Sequence, residues 1–143
     1  MIRTGLLAAA AMLLALPALG QTVGSCPSAG SAAATQPVWV LFDLGSAALK
    51  PEAKPLIAQA AATAKARQAV KVCLVGQTDK LGDKALNEKL AQQRARAVAA
   101  ELIRVGYPAD HIVIATNPEA FGNMSLGGRD ASEKDRRVSI VFR

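Results

Sequence analysis

Val70-Lys71-Val72-Cys73-Leu74-Val75-Gly76-Gln77-Thr78-Asp79 reads as a strand that runs into a polar turn. Val70 to Val75 is rich in β-branched residues. Alternation sets Val72 and Leu74 on one face and Cys73 and Val75 on the other. Gly76 to Gly82 forms the turn. From Asp83 to Arg104, apolar residues then recur at helical spacing: Leu86, Leu90, Ala91, Ala95, Val98 and Leu102. That stripe predicts one long amphipathic helix, which Gly106 ends. The stretch therefore joins a buried strand to a helix. It also sets one carboxylate, Asp79, in the turn and one guanidinium, Arg94, on the helix. A facing Asp and Arg suit a zwitterion, since the carboxylate takes an ammonium and the guanidinium takes a carboxylate in a bidentate fork.

Working outward, Val38 to Phe42 is a short apolar run containing Trp39 and reads as a buried strand. Asp43 to Leu49 is a loop. Pro51-Glu52 opens a helix, with proline in the first turn and an acid at the positive end of the dipole, and the helix runs to about Arg67. Pro55 is tolerable so near the start but not later. His111 to Ala115 is a third strand. Asn117 to Asp135 has glycines and no period, so it reads mostly as loop. Val138, Ile140 and Phe142 alternate along a terminal strand. The order β-α-β-α-β-loop-β predicts a small α/β (α+β) sandwich, a mixed sheet with two main helices on one face.

The chain has 143 residues, a size that suits one domain. Arg3, the apolar run Leu6 to Leu16 and Pro17-Ala18-Leu19-Gly20 read together as a secretory signal peptide over 1–20. The apolar run is about a dozen residues where a membrane span needs about 20, so no transmembrane segment is expected in the mature chain. Residues 21–37 are rich in Ser, Gly, Ala and Thr and read as a linker, or as a tail laid over the domain at 38–143. The net charge of +6 falls by one when Arg3 leaves with the leader. Aromatic residues are only 3% and none interleaves a basic cluster, which argues against nucleic-acid binding.

Cys26 and Cys73 are the only cysteines. In an oxidising compartment an even count favours one disulfide. A second reading is lipidation, because Thr22-Val23-Gly24-Ser25-Cys26 loosely satisfies a lipobox. His111 is the only histidine and has no carboxylate or cysteine partner nearby in sequence. A strand-interior Cys73 reads as core or disulfide and not as a nucleophile. Two cysteines and one histidine make no zinc pattern, and no phosphate loop is present, so neither a cofactor nor an enzyme is expected. Lys84, Lys89 and Arg96 read as a solvated helix face.

Four landmarks in order carry a resemblance. They are Val40-Leu41-Phe42-Asp43 with Leu49-Lys50-Pro51-Glu52-Ala53; Gly76-Gln77-Thr78-Asp79 with Gly82; Asn87, Leu90, Arg94-Ala95 and Val98; and Asp135-Arg136-Arg137-Val138. From about Val38 to Phe142 the chain resembles the OmpA-like C-terminal domain family, the peptidoglycan-associated module of Gram-negative envelopes. The resemblance implies a periplasmic, outer-membrane-associated domain that binds the diaminopimelate of the peptidoglycan stem peptide without cleaving it. Its ligand pair falls on Asp79 and Arg94, with Thr78 and Asn87 completing the pocket. One of Arg136 and Arg137 lines the rim; Arg137 is assigned, although alternation puts the two on opposite faces and the sequence leaves open which. Gln77 replaces the family's usual His, Asp135 its usual Asn, and Ala115-Thr116-Asn117-Pro118 stands where it has a Gly-Tyr-Gly turn. The alternative partner is another envelope protein bound by the same fold, and a lipidated Cys26 would imply an outer-membrane lipoprotein.

Asp79 has a plainer role open to it, capping backbone amides at a strand-to-helix turn. For Arg94, the plain expectation is a solvated side chain or an exposed ion pair with Asp79, worth about 0–1 kcal/mol.

Overall fold

The computed structural model describes residues 22–23, 26, 36–78, 83–116 and 133–143. The expected leader over 1–20, residues 79–82 with Asp79, and residues 117–132 lie outside the described residues. In chain order the elements are β1 (Thr22–Val23), β2 (Val38–Leu41), α1 (Ala53–Ala66), β3 (Val72–Gln77), α2 (Lys84–Arg104), β4 (Ile112–Thr116) and β5 (Arg137–Phe142). The strands form one mixed sheet in the order β1-β4-β3-β5-β2. β3 and β4 are parallel, joined by α2 as a crossover, while β5 lies antiparallel between β3 and β2. The chain's last strand thus inserts between its second and third, an arrangement sequence order does not announce.

Both helices pack on one face of the sheet. Val40, Val72, Leu74, Ile112, Ile114, Val138, Ile140 and Phe142 point toward them and are buried. α1 contributes Ala53, Ile57, Ala60, Ala61 and Ala64, and α2 contributes Ala91, Ala95, Val98, Ala99 and Leu102. Small alanines on both helices let the layers approach closely. The closest approach is at Gly76: a methyl placed there would overlap the Ala91 carbonyl and stand 2.8 Å from its carbon. Leu86, expected in the apolar stripe, is 68% exposed instead, because it lies in the first turn of α2, ahead of the residues that meet the sheet. Val70 is likewise exposed. It precedes β3, and its N–H donates to the Arg143 carbonyl.

The helix ends follow local chemistry. Asp83 caps α2, its Oδ1 accepting from the Leu86 N–H at 3.0 Å. At the other end Gly106 takes φ +93°, the Gly106 N–H donates to Ile103 and the Tyr107 N–H to Leu102, which is a Schellman motif. α1 ends the same way on a non-glycine: Gln68 sits at φ 54°, and Ala69 N–H donates to the Ala64 carbonyl. A side chain is strained in that conformation. Gln68→Gly is therefore expected to stabilise the fold by about 1 kcal/mol, read as a raised midpoint in urea with an unchanged slope. On α2, buried Glu101 takes both Nε and Nη2 of Arg104, at 2.9 and 2.5 Å. The hydrogen-bonded guanidinium holds its carboxyl below the usual range, partly opposed by burial.

The N-terminal segment is tied to the sheet. Thr22 and Val23 pair in parallel with Val113 and Ile114 of β4. Cys26 is disulfide-bonded to Cys73 of β3, with Cα atoms 6.0 Å apart. A sulfur so bonded carries no lipid thioether, so of the two readings of Cys26 the structure has the bridge. Cys73 lies on the sheet face away from the helices, by alternation from the inward Val72 and Leu74, so the bridge clamps the segment across that outer face.

Candidate functional site

The Gly76–Ala91 contact fixes where α2 crosses β3, and Arg94 sits three residues further along the same side of the helix. Its side chain has no exposed surface. Nε donates to the Ser46 carbonyl at 2.8 Å, Nη2 to the Asp43 carbonyl at 3.0 Å and Nη1 to the Gln77 carbonyl at 3.4 Å. The guanidinium carbon stands 5.4 Å from the centroid of the Phe42 ring. A buried cation is tolerated only where dipoles replace its hydration, and three carbonyls with an aromatic face do so here. The loop supplies two of them because it folds into a tight turn. Ser46 N–H donates to Asp43, and Gly45 takes φ +66°, as the third residue of a type II turn must. Arg94 thus ties α2 to the β2–α1 loop and to the end of β3. The solvated side chain expected from sequence is corrected: Arg94 is a buried structural member, because α2 turns that residue inward.

The other assigned residues fall in different places. Thr78, the residue after β3, is 1% exposed, and among the described residues its hydroxyl oxygen has no hydrogen-bond partner. It leads directly into Asp79, which lies outside the described residues. Asn87 is half-buried on α2, two turns before Arg94, and its N–H donates to the Asp83 carbonyl. Arg137 does not share the face of Arg94. Val138, Ile140 and Phe142 point to the helices, so alternation turns Arg137 to the outer face, where its guanidinium lies 4.2 Å from the centroid of the Trp39 ring. The arginine on the pocket side is Arg136, whose Nε donates to the carbonyl of Phe42.

Sequence reasoning missed the carbonyl cradle of Asp43, Ser46 and Gln77, since backbone acceptors leave no mark on residue type. The turn signal at Gly45-Ser46 was the one available clue. Asp43 itself pairs through its exposed carboxylate with Lys50 at 3.0 Å, a contact of little energetic weight. His111 stands in a short turn before β4, edge-on to Tyr107, and the Cys73 sulfur is bonded, so those two form no nucleophile pair. Among the described residues no three metal-ligating side chains converge, and no helix is long and apolar enough to cross a membrane.

The sequence profile of the OmpA family matches residues 41–139. The chain belongs to the OmpA family. Outer membrane protein A of Bordetella avium is 36% identical over 103 residues, which cover 69% of this chain and 51% of the relative. Outer-membrane lipoprotein YfiB of Pseudomonas aeruginosa is 34% identical over 105 residues, covering 71% of this chain and 61% of the relative. The chain therefore spans about half the length of the curated relatives it matches. The solved peptidoglycan-associated lipoprotein of Burkholderia pseudomallei superposes with a TM-score of 0.61 at 26% identity, covering 73% of this chain and 89% of that one. The mixed sheet with helices on one face is thus the fold of OmpA-like domains. Two departures from the OmpA-family pattern are partners in the structure. Gln77 Nε2 donates to Asp135 Oδ1 at 3.1 Å, so the carboxylate that replaced an amide is held by the amide that replaced a histidine. That bond occupies Asp135 at the outer side of β3, and the contact with Arg94 is made instead by the Gln77 carbonyl.

Proposed function

We propose that this domain binds the peptide stem of peptidoglycan in the periplasm without cleaving it, and helps hold the envelope to the cell wall. Asp79 takes the ammonium of the diaminopimelate end and Arg94 its carboxylate, with Thr78 and Asn87 orienting the ligand. The observation that carries the reading is the buried Arg94 guanidinium, fixed by two carbonyls of the β2–α1 loop and by one at the end of β3, the strand that runs through Thr78 toward Asp79. A guanidinium held in this way meets a carboxylate with its donors already oriented. The Thr78 hydroxyl, buried and without a partner among the described residues, adds a donor that a ligand would satisfy. Arg94 has no exposed surface without ligand, so capture of a carboxylate has to uncover it. Affinity at one polar site is modest, and the many stems of one polymer raise retention through effective concentration.

Co-sedimentation with purified sacculi tests this. Wild-type protein is expected to pellet and to be released by excess free diaminopimelate. Asp79→Ala removes one pole of the grip and is expected to lose on the order of 2 kcal/mol, more than tenfold in Kd. Arg94→Ala is expected to lose binding and stability together, so Asp79→Ala is the cleaner variant. If Asp79→Ala pellets as well as wild type, with diaminopimelate ineffective, the pocket is misassigned.

A further inference from the structure

The two edges of the sheet are built differently. At one, β4 is capped by β1, which the Cys26–Cys73 bridge ties to β3. At the other, β2 is the last strand, and among the described residues no strand pairs with its far side. The register says which groups face that side. The Phe42 N–H donates to the Arg136 carbonyl, continuing the β2–β5 pairing of Val38 with Ile140 and of Val40 with Val138. Hydrogen-bonded pairs of an antiparallel ladder fall on every second residue. Val38, Val40 and Phe42 therefore direct their backbone groups to β5, and the N–H and C=O of Trp39 and Leu41 face outward. No side chain guards them. Val38-Trp39-Val40-Leu41 contains neither a charge nor a proline, two devices that commonly blunt an edge. Trp39 is 45% exposed, even though Arg137 reaches its ring from β5 at 4.2 Å, while Val40 is buried on the helix side.

We propose that β2 pairs antiparallel with β2 of a second copy of this chain, giving a two-fold dimer with one continuous sheet. The edge's own register selects that occupant. A two-fold axis perpendicular to the sheet reverses the strand and keeps both helix layers on one side, so inward residues pair with inward and outward with outward. With Val40 at the axis, Trp39 stands opposite the second copy's Leu41, and Leu41 opposite its Trp39. Each Trp39 N–H then donates to the other copy's Leu41 carbonyl, and each Leu41 N–H to the other copy's Trp39 carbonyl. No outward group of Trp39 or Leu41 is left over. Centring the axis on Trp39 instead would set Leu41 against Pro37, which has no N–H to give. On the outer face each indole meets a leucine as a directly opposed cross-strand pair. An extended peptide could bond the same backbone groups, but only a second β2 is bound to bring that leucine. A four-residue pairing covers less surface than a lasting dimer needs, so the contact is of the weak, reversible class. A polymer that gathers many copies offsets this weakness through effective concentration. The inference goes beyond the wall-binding reading and stands without it.

Because Trp39 is the only tryptophan, its emission follows the contact directly. The folded, oxidised chain is taken from about 1 µM to about 1 mM and read by Trp39 emission and by sedimentation velocity. The expected result is an emission shift to shorter wavelength that accompanies a rise from monomer to dimer mass. Leu41→Glu puts a carboxylate on the edge beside Arg137, its register partner on β5, so the monomer keeps its fold. It is expected to weaken association at least about tenfold. Trp39→Lys, read by sedimentation alone, should do the same. The two substitutions together set an ammonium opposite a carboxylate on each side of the axis, and are expected to restore most of the lost association. Circular dichroism confirms that each variant is folded. Wild type that stays monomeric across the range overturns the proposal, whether or not an added extended peptide shifts Trp39. Association that both single variants keep, or that the double variant fails to recover, also overturns it. A dimer that survives denaturant until a dithiol is added is cross-linked through cysteines of different copies, and that result overturns it too. Pelleting with sacculi is measured separately, so the peptide pocket stands or falls on its own result.

Discussion

Gly76→Ala is expected to lower the stability of the domain by about 3 kcal/mol or more, at the upper end of the usual overpacking range. The added methyl would overlap the Ala91 carbonyl and approach its Cα to 3.3 Å, and those are backbone atoms of a helix, unable to swing aside as a side chain does. Relief requires α2 to lift from β3, and that movement loosens the contacts of Ala95, Val98 and Leu102 beyond it. For a chain of this size the thermal midpoint should fall by roughly 10 °C. Gly45→Ala is the control. Gly45 takes φ +66° but has nothing within 4 Å of an added methyl, so only conformational strain remains, about 1 kcal/mol. Equal losses at the two positions would show that close approach at Gly76 is not what matters there. Because Arg94 rides on the same helix, Gly76→Ala should also weaken sedimentation with sacculi, and Gly45→Ala should do so less.

Opening the Cys26–Cys73 bridge is expected to cost about 4 kcal/mol, the chain-entropy value for a closed loop of 47 residues. Cys26→Ser and treatment of wild type with a dithiol should give the same loss, and the two together should add nothing further, since both remove one cross-link. Urea unfolding measures it. Before reduction, the intact mass should be lower than the reduced mass by two hydrogens. A mass raised by a diacylglyceryl group would contradict the bridge. The loss should be felt first at the sheet edge. β1 has only two residues, too few to hold their place on β4 alone, so amides of Val113 and Ile114 should exchange faster in the reduced protein.

Much of this fold was legible because local chemistry and global packing agree. Asp83 before an apolar period announces a capped helix, and Gly106 announces its end. Val138, Ile140 and Phe142 alternate as a half-buried strand must, and an even count of two cysteines favoured their pairing over lipidation of Cys26. What was hidden depends on non-local geometry. Nothing in Arg137-Val138 says that β5 enters the sheet between β3 and β2, and without that placement the face of Arg137 is undetermined. Gln68 gave no sign of a left-handed helix end, since glycine or asparagine is the usual signal there. Thr22-Val23 is too short to read as a strand within a Ser/Gly/Ala/Thr-rich stretch. Arg94 was singled out together with Asp79, yet its burial was not foreseen. A charged residue in a helical pattern reads as surface unless the backbone groups that receive it are known.

Among the described residues, three acceptors that hold Arg94 are amide oxygens, those of Asp43, Ser46 and Gln77. Amide oxygens do not titrate, and a guanidinium keeps its proton throughout the range in which proteins stay folded. The Arg94 guanidinium therefore keeps both its charge and these three anchors as acidity changes. Losing these three anchors to acid is therefore expected only when the β2–α1 loop itself unfolds.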